Sequence, residues 1–477
     1  MGWLMIFAFV CLLIYRAENK RLEPNKSDLA DLQSDHSVST YNKVSPKPRQ
    51  DKIQTDLSRE QRALFEVIEK TTGHVFVTGK AGTGKSLLLR YLKSNSSKRL
   101  ICLAPTGIAA LNIGGQTIHS IFCTPKLSVG LSDEVLATLK HLDTLIIDEI
   151  SMVRSDLMDT IDKTLRTVRS SNVAFGGVQL IMFGDLYQLP PIVADAELKK
   201  YFKERYGGFF FFNSRVWTRT ELQVYELNHV FRQQADNFRH ILNQIRIGKV
   251  DAEVLHQLNQ RALAKLPEEG VITLAATNKL VDEINSQKLS YLDKPVYVYP
   301  ASIGGNIKTN EYLAEKNLKL KVGAQVMMIK NDKDKRWVNG SLGLVTALSK
   351  TEVIVRINNV SYSIEPSTWT KIRYKYDEES RKISEEQVSS ITQYPLRLAW
   401  AITIHKSQGQ SYTKCAVDLK DGVFTHGQAY VALSRCKSLD GLYLLTPILS
   451  QDIQVMPEVI NFMKGIKPIN TSSLANI

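Results

Sequence analysis

The sequence predicts an α/β fold in which two parallel-sheet domains follow one another and a small antiparallel barrel interrupts the second. Three observations predict it. Short apolar runs ending in small or acidic residues alternate with longer amphipathic stretches, the pattern of parallel strands joined by helices. Nearly every run finishes in a residue suited to chemistry, as expected where ligands bind at the carboxyl ends of parallel strands. Between Leu313 and Ile391 the texture changes to glycine-punctuated, β-branched segments (KVGAQVMMIK, GSLGLVTAL, EVIVRINNVSYSI), which point to the barrel.

In chain order, residues 1–16 are an apolar segment. Trp3 to Tyr15 (WLMIFAFVCLLIY) would span about 20 Å as a helix, short of the roughly 30 Å hydrocarbon core, and no Lys or Arg precedes it as in a secretory signal. Arg16, Lys20 and Arg21 follow it, so if the segment anchors the chain in a membrane, the remainder stays on the cytoplasmic face. Residues 17–55 are polar without apolar period and are expected to form a disordered linker. HVFVT, LICLA, LIIDE and LIMFGD build a first domain over 56–228. ITLAATN and CAVDL build a second over 229–312 and 392–455, with the barrel at 313–391 and a tail at 456–477. A chain of 477 residues, 43% hydrophobic and 23% charged, has the length and composition for several such cores.

The formal charge of +13 favours polyanionic partners, because neutralising phosphates releases condensed counterions. Cys11, Cys102, Cys123, Cys415 and Cys436 are scattered without a C-x-x-C pair, so they are expected to be buried reduced thiols of a cytosol-like compartment, with neither zinc nor disulfides.

GKAGTGKS, Gly79 to Ser86, fits G-x-x-x-x-G-K-[ST], follows an apolar strand and opens an amphipathic helix, the context a phosphate-binding loop needs. Its glycines let backbone N–H groups close around phosphates at a helix N-terminus. Lys85 can reach the β- and γ-phosphates, and the Ser86 hydroxyl can ligate Mg2+. Asp148 and Glu149 end LIIDE; alone they would cap a helix, but downstream of Lys85 the first suits Mg2+ and the second can take a proton from an attacking water. In GDLYQLPP, Gln188 offers an amide where a γ-phosphate would lie. A switch-type NTPase would need only those parts, whereas a motor would need a second domain that closes on the nucleotide and contributes charge to it. Arg232 in VFRQ and Arg435 in YVALSRC, expected at a helix start, are the candidates, both in constrained, apolar surroundings.

LSREQ (Leu57 to Gln61), GKAGTGKS, LAPTGIAA, QTIHSIF, DEISM, GDLYQLPP, FRQ, AATN, LAWAITIHKSQGQ and YVALSRC occur in that order. The series resembles the helicase motifs of superfamily one in its RecD-like branch, and is most similar to the PIF (petite integration frequency) family of DNA helicases. SMVRSDLMDTIDKTLRTVR resembles that family's signature; read from its residues it is an amphipathic helix with Met158, Ile161, Leu165 and Val168 on one face. The resemblance covers roughly Thr55 to Leu449.

It implies two RecA-like P-loop domains in tandem, with ATP and Mg2+ bound between them. Gln61 would contact adenine, Gly79, Lys80, Ala81, Gly82, Thr83, Gly84, Lys85 and Ser86 would hold the phosphates, and Ser86 and Asp148 the metal. Gln188, Arg232 and Arg435 would sense the γ-phosphate, and Gly409 would border the nucleotide. Pro105, Thr106, His119, Asn278, His405 and Lys406 would line a single-strand path, with Thr106 and His119 on loops, consistent with phosphates being held by hydroxyls, amides and cations. Similar enzymes move 5′ to 3′ on single-stranded DNA, unwind duplexes or G-quadruplexes, and act in replication, repair and recombination. A monomer working in the cytoplasm on bacterial nucleoid DNA, or in a nucleus or mitochondrion, is the expectation. Two alternatives stay open. An RNA helicase would share every ATP motif and differ in tolerating a 2′-OH. A membrane-tethered nucleic-acid-binding regulator draws support from Trp3 to Tyr15, against the complete set of hydrolysis residues.

Overall fold

The computed structural model describes residues 57–122, 131–193, 195–233, 235–305, 314–420, 422–466 and 468–471. The apolar segment and linker expected at residues 1–55 lie outside them. Among the described residues no helix is long and apolar enough to cross a membrane.

The first sheet contains β1 (His74–Gly79), β2 (Leu100–Ala104), β3 (Gln116–Thr117), β4 (Thr144–Ile147), β5 (Gln179–Phe183) and β6 (Leu222–Leu227), parallel in the order β6-β1-β5-β4-β2-β3. Every residue of β4 and β5 is buried, because crossover helices cover both faces of a parallel sheet and its central strands therefore carry continuous apolar runs. The helix Ser155–Val168 buries Met158, Ile161 and Leu165 against that sheet, while Arg166 faces outward and pairs with Asp162.

The second sheet starts with β7 (Ile272–Ala275), and antiparallel structure then intervenes. Its strands are β8 (Tyr297–Pro300), β9 (Ser302–Gly304), β10 (Asn317–Leu320), β11 (Gln325–Met328), β12 (Leu342–Leu348), β13 (Val353–Ile357), β14 (Val360–Ile364), β15 (Ser367–Asp377), β16 (Lys382–Gln393) and β17 (Leu396–Leu398). They begin before residue 313 and end after 391. The order β14-β13-β12-β11-β17 forms one sheet, β8 and β10 form a ribbon, and both share a core that includes Leu318, Val326, Val355 and Leu396. The long β15–β16 hairpin crosses to the first domain. There the Tyr374 hydroxyl lies against the Cys102 backbone N–H (3.1 Å), Arg373 pairs with Glu134 (2.9 Å) and Glu385 with Lys93 (2.8 Å).

β18 (Ala401–Thr403), β19 (Cys415–Asp418) and β20 (Leu442–Leu444) then complete the second sheet, parallel in the order β18-β7-β19-β20, so that Ala275 pairs with both Thr403 and Asp418. The segment expected as a tail returns to the first domain. Its helix Pro457–Gly465 stacks Phe462 on Phe212 (4.0 Å between centroids), and β21 (Ile469–Asn470) adds a parallel edge strand beside β6.

Candidate functional site

Strand β1, buried from Val75 to Gly79, delivers the glycine loop to the cleft between the domains. Gly82 and Gly84 have left-handed φ values of 86° and 81°, which only glycine adopts without strain, and a Cβ on Gly82 would stand 2.5 Å from that of Arg232. The helix Lys85–Asn95 begins directly after the loop, so its unpaired N–H groups face the loop's concave side. Lys85 lays its ammonium on the carbonyls of Gly79 (2.6 Å) and Lys80 (3.0 Å), and burial pulls its pKa down to about 8. Ser86 is exposed in the first turn of that helix. Gln61 is buried against the same loop, but its amide is engaged within the protein. It donates to the carbonyls of Thr83 (3.4 Å) and Gly84 (3.2 Å) and accepts from the Ser58 N–H (3.1 Å), closing a capping box. In this arrangement Gln61 braces the loop, leaving one oxygen lone pair for a base.

Asp148 and Glu149 follow β4, at the carboxyl end of the sheet. Glu149 takes φ 51°, a left-handed conformation that costs a side-chain-bearing residue about 1–3 kcal/mol, and it turns the second carboxylate toward the cleft. Glu149 retains some solvent-accessible surface, yet protein surrounds it closely enough that burial, with Asp148 adding repulsion, pushes its pKa up to about 7. Burial also raises Asp148 to about 6. Two carboxylates that burial disfavours in their charged form, beside a lysine and an exposed serine hydroxyl, are a donor set that a divalent cation fits. Asp185 and Gln188 follow β5, with Gln188 buried.

The second domain closes on these groups through Gln408. Its amide donates to Glu149 Oε2 (3.2 Å) and Gln188 Oε1 (3.3 Å). Arg232 and Arg435 approach from the same side. Arg435 was expected at a helix start; it follows the end of the helix Gln428–Leu433, where orphan carbonyls attract a guanidinium. It is 1% exposed and donates to the carbonyls of Val431 (3.0 Å) and Gln410 (3.3 Å), with Glu149 among its attracting neighbours. Arg232 donates to the carbonyls of Ser434 (3.2 Å) and Gly409 (3.4 Å). Burial and the repulsion of Arg435 bring its pKa down to about 9. Two guanidiniums whose charge is disfavoured, resting on backbone carbonyls, would gain from an anion placed between the domains.

The residues expected to meet a single strand lie at carboxyl ends of both sheets. Pro105 and Thr106 follow β2, and the Thr106 side chain caps the helix Gly107–Asn112. His119, expected on a loop, sits exposed on the short helix Ile118–Phe122, because Gln116 and Thr117 join the sheet edge as β3 and turn the chain at once. Asn278 opens the helix Asn278–Ser290 after β7 and is exposed. His405 and Lys406 follow β18, partly buried, with both pKa values lowered by burial.

Three participants escaped the sequence reading. Gln408 lies within ITIHKSQGQ, where no cue separates it from its neighbours. Arg246 sits on the amphipathic helix Asp236–Ile247, where nothing in the pattern marks it, yet it pairs with Asp185 across the domain boundary (2.9 Å) and lies over the Tyr187 ring (4.4 Å). Tyr430 receives the Ala81 N–H (3.1 Å) and reaches Asp185 (3.3 Å), tying the glycine loop to the second domain.

The family model described as PIF1-like helicase matches residues 56–256, and that described as DNA helicase Pif1, 2B domain, matches 306–348. A relative from Bdellovibrio bacteriovorus, ATP-dependent DNA helicase Pif1, is 31% identical over 86% of this chain and 92% of its own. The chain belongs to the PIF1-like helicase family. ATP-dependent DNA helicase PIF1 of Saccharomyces cerevisiae is 31% identical over 88% of this chain, which spans 62% of that relative's length. Among solved structures of the family, Bacteroides sp. Pif1 with ADP-AlF4 is 38% identical and matches 86% of this chain and 97% of its own at a TM-score of 0.79. The same protein bound to single-stranded DNA matches at 0.63.

Proposed function

We propose that this chain is an ATP-dependent DNA helicase that moves 5′ to 3′ on single-stranded DNA, opens duplex or structured DNA, and serves replication, repair and recombination. The observation that carries this reading is the meeting of Glu149 and Gln188, from the first domain, with Gln408 of the second, over the glycine loop. Hydrolysis and domain movement share those atoms. The names of the relatives, and the Bacteroides protein's ADP-AlF4 and single-stranded DNA complexes, support the same reading.

In this reading the loop N–H groups and Lys85 hold the triphosphate. Ser86 and Asp148 would hold Mg2+, which when bound supplies positive charge to the phosphates. Glu149 takes the proton of the attacking water, and its raised pKa makes it a better base than a solvated carboxylate. Gln188 and Gln408 position that water from opposite domains. Arg232 and Arg435 move from backbone carbonyls to the transferring phosphoryl group, a contribution worth about 10³–10⁵ in rate where such fingers operate. Closure therefore follows the γ-phosphate, and release follows its loss. Pro105, Thr106 and His119 on one domain and Asn278, His405 and Lys406 on the other then grip the strand alternately.

Unwinding of duplexes carrying only a 5′ or only a 3′ single-stranded tail tests the reading, with Lys85→Ala as control. The 5′-tailed duplex is expected to open, the 3′-tailed duplex to stay closed, and the variant to open neither. Equal opening from both tails, or activity in Lys85→Ala, would overturn it. Matched single-stranded RNA in the ATPase assay separates the RNA alternative.

A further inference from the structure

Glu60 is 8% exposed, in the first turn of the helix Arg59–Lys70, and none of the roles above uses it. Its carboxylate accepts the backbone N–H of Asn228 (2.9 Å) and of His229 (3.4 Å). These residues directly follow β6, where the chain leaves the first domain. A third donor comes from the far end of the sequence. The Thr471 hydroxyl, fully buried, shares its proton between Glu60 and the carbonyl of Glu226 (2.7 Å). Thr471 is held there because β21 lies in register beside β6, pairing Ile469 with Tyr225 and Asn470 with Glu226.

The crossing segment continues from His229 straight into Phe231 and Arg232. The Phe231 N–H donates to the Gly82 carbonyl (2.9 Å), and Arg232 packs its Cβ over Gly82 before reaching the second domain's carbonyls. Only two residues, His229 and Val230, separate the Asn228 anchor from Phe231, so a tilt of the turn at Asn228 and His229 moves Arg232 relative to the phosphate loop. A misplacement of about 1 Å in a positioned group can cost roughly 10²-fold in rate.

We infer that Glu60 is a positioning residue for Arg232, and that the strand Ile469–Asn470 with Thr471 forms a clip that holds Glu60 to this task. The C-terminal segment thereby sets the rate of ATP turnover while touching neither nucleotide nor DNA. The inference rests on the proposed reading of Arg232 as a phosphate-sensing cation.

The test uses the full chain and four variants: Glu60→Gln, which replaces one accepting oxygen by an amide nitrogen facing N–H groups; Thr471→Val, which removes the hydroxyl at nearly constant volume; Thr471→Ser, which restores it; and deletion of 468–477. Steady-state ATP hydrolysis with single-stranded DNA gives kcat and KM, and a fluorescent ADP gives binding with and without aluminium fluoride, which imitates the transferring phosphoryl group. For Glu60→Gln, Thr471→Val and the deletion, kcat is expected to fall about tenfold with ADP affinity unchanged, and the tightening of ADP by aluminium fluoride to shrink by a similar factor. Thr471→Ser is expected to match the wild type.

A purely structural role would lower thermal stability and weaken ADP binding together, without a selective loss of the fluoride effect. That outcome overturns the inference, as does wild-type kcat in Glu60→Gln and Thr471→Val, or a Thr471→Ser variant as impaired as Thr471→Val. If the deletion fails to fold, the near-isosteric Thr471→Val decides. Wild-type protein without ATP hydrolysis would overturn the proposed function and this inference together, whereas active wild type with unaltered variants overturns the inference alone.

Discussion

Replacing Arg246 by methionine should break the ion pair that bolts the two domains together, at a cost the geometry lets one work out. The Asp185 side chain is 0% and the Arg246 side chain 7% exposed, and the guanidinium makes three contacts at 2.9 to 3.2 Å. Burial opposes ionisation of Asp185, but the attraction of Arg246 and Lys85 outweighs it and holds the carboxyl below its usual range. Methionine keeps most of the packing on the Tyr187 ring but leaves that carboxylate without its partner. Removing one member of a buried pair costs about 3–5 kcal/mol. Asp185 retains the Tyr430 hydroxyl and the Tyr187 N–H, both at 3.3 Å, which places the expected loss near the lower end, about 3 kcal/mol. At roughly 2–4 °C per kcal/mol for a unit of this size, Arg246→Met should melt about 6–12 °C below the wild type. Asp185→Asn combined with Arg246→Met removes both charges and should recover at least about 2 kcal/mol of that loss. Thermal and urea unfolding of the two single variants and the double variant, at one protein concentration, measure the coupling. A melting point for Arg246→Met within experimental error of the wild type, or strictly additive single variants, would refute the reasoning.

Gln408→Ala removes the two hydrogen bonds by which the second domain holds Glu149 and Gln188 of the first. DNA-stimulated kcat should fall about tenfold while KM for ATP changes little, and a rise in KM at unchanged kcat would show that the amide serves binding alone. His74 accepts the Leu180 N–H (3.1 Å) and packs edge-on against Phe175 and Trp217; burial lowers its pKa from 6.5 to about 4. The folded protein thus binds fewer protons than the unfolded chain, so the contribution of neutral His74 is complete above pH 6.5 and is lost as pH falls toward 4, by about 2–3 kcal/mol. Urea unfolding between pH 7 and 4.5 should show a smaller acid loss in His74→Gln than in the wild type, and equal losses would exclude His74 as the source.

The parallel strands, the glycine loop and the acidic pair could be read from the sequence because each is a local event. An apolar run ends, and a residue with one chemical aptitude follows it, as at Gly79, Asp148 and Asn278. What could not be read depended on which helix faces which cleft. Arg246 occupies an ordinary helix position and becomes a partner of Asp185 only when the second domain docks. Gln61 illustrates the same limit in part: its capping box with Ser58 is local, but the hold of its amide nitrogen on the carbonyls of Thr83 and Gly84 depends on how the glycine loop turns. The C-terminal segment, short and mixed in composition, carries no strand period, and its pairing with β6 is a property of the sheet edge it covers.

The division of the second sheet around the antiparallel insert also bears on how the chain reaches this state. β7 must find β18 and β19, yet every residue of the insert lies between them in sequence, and closing so long a flexible loop carries an entropic cost before any contact rewards it. The insert relieves the search, since its own pairing of Val326 with Leu398 draws the chain entering it and the chain leaving it to one place. A nascent chain that folds this middle portion first would present both borders of the second sheet at short range. The insert would then act as a jig for the second domain, which encloses it.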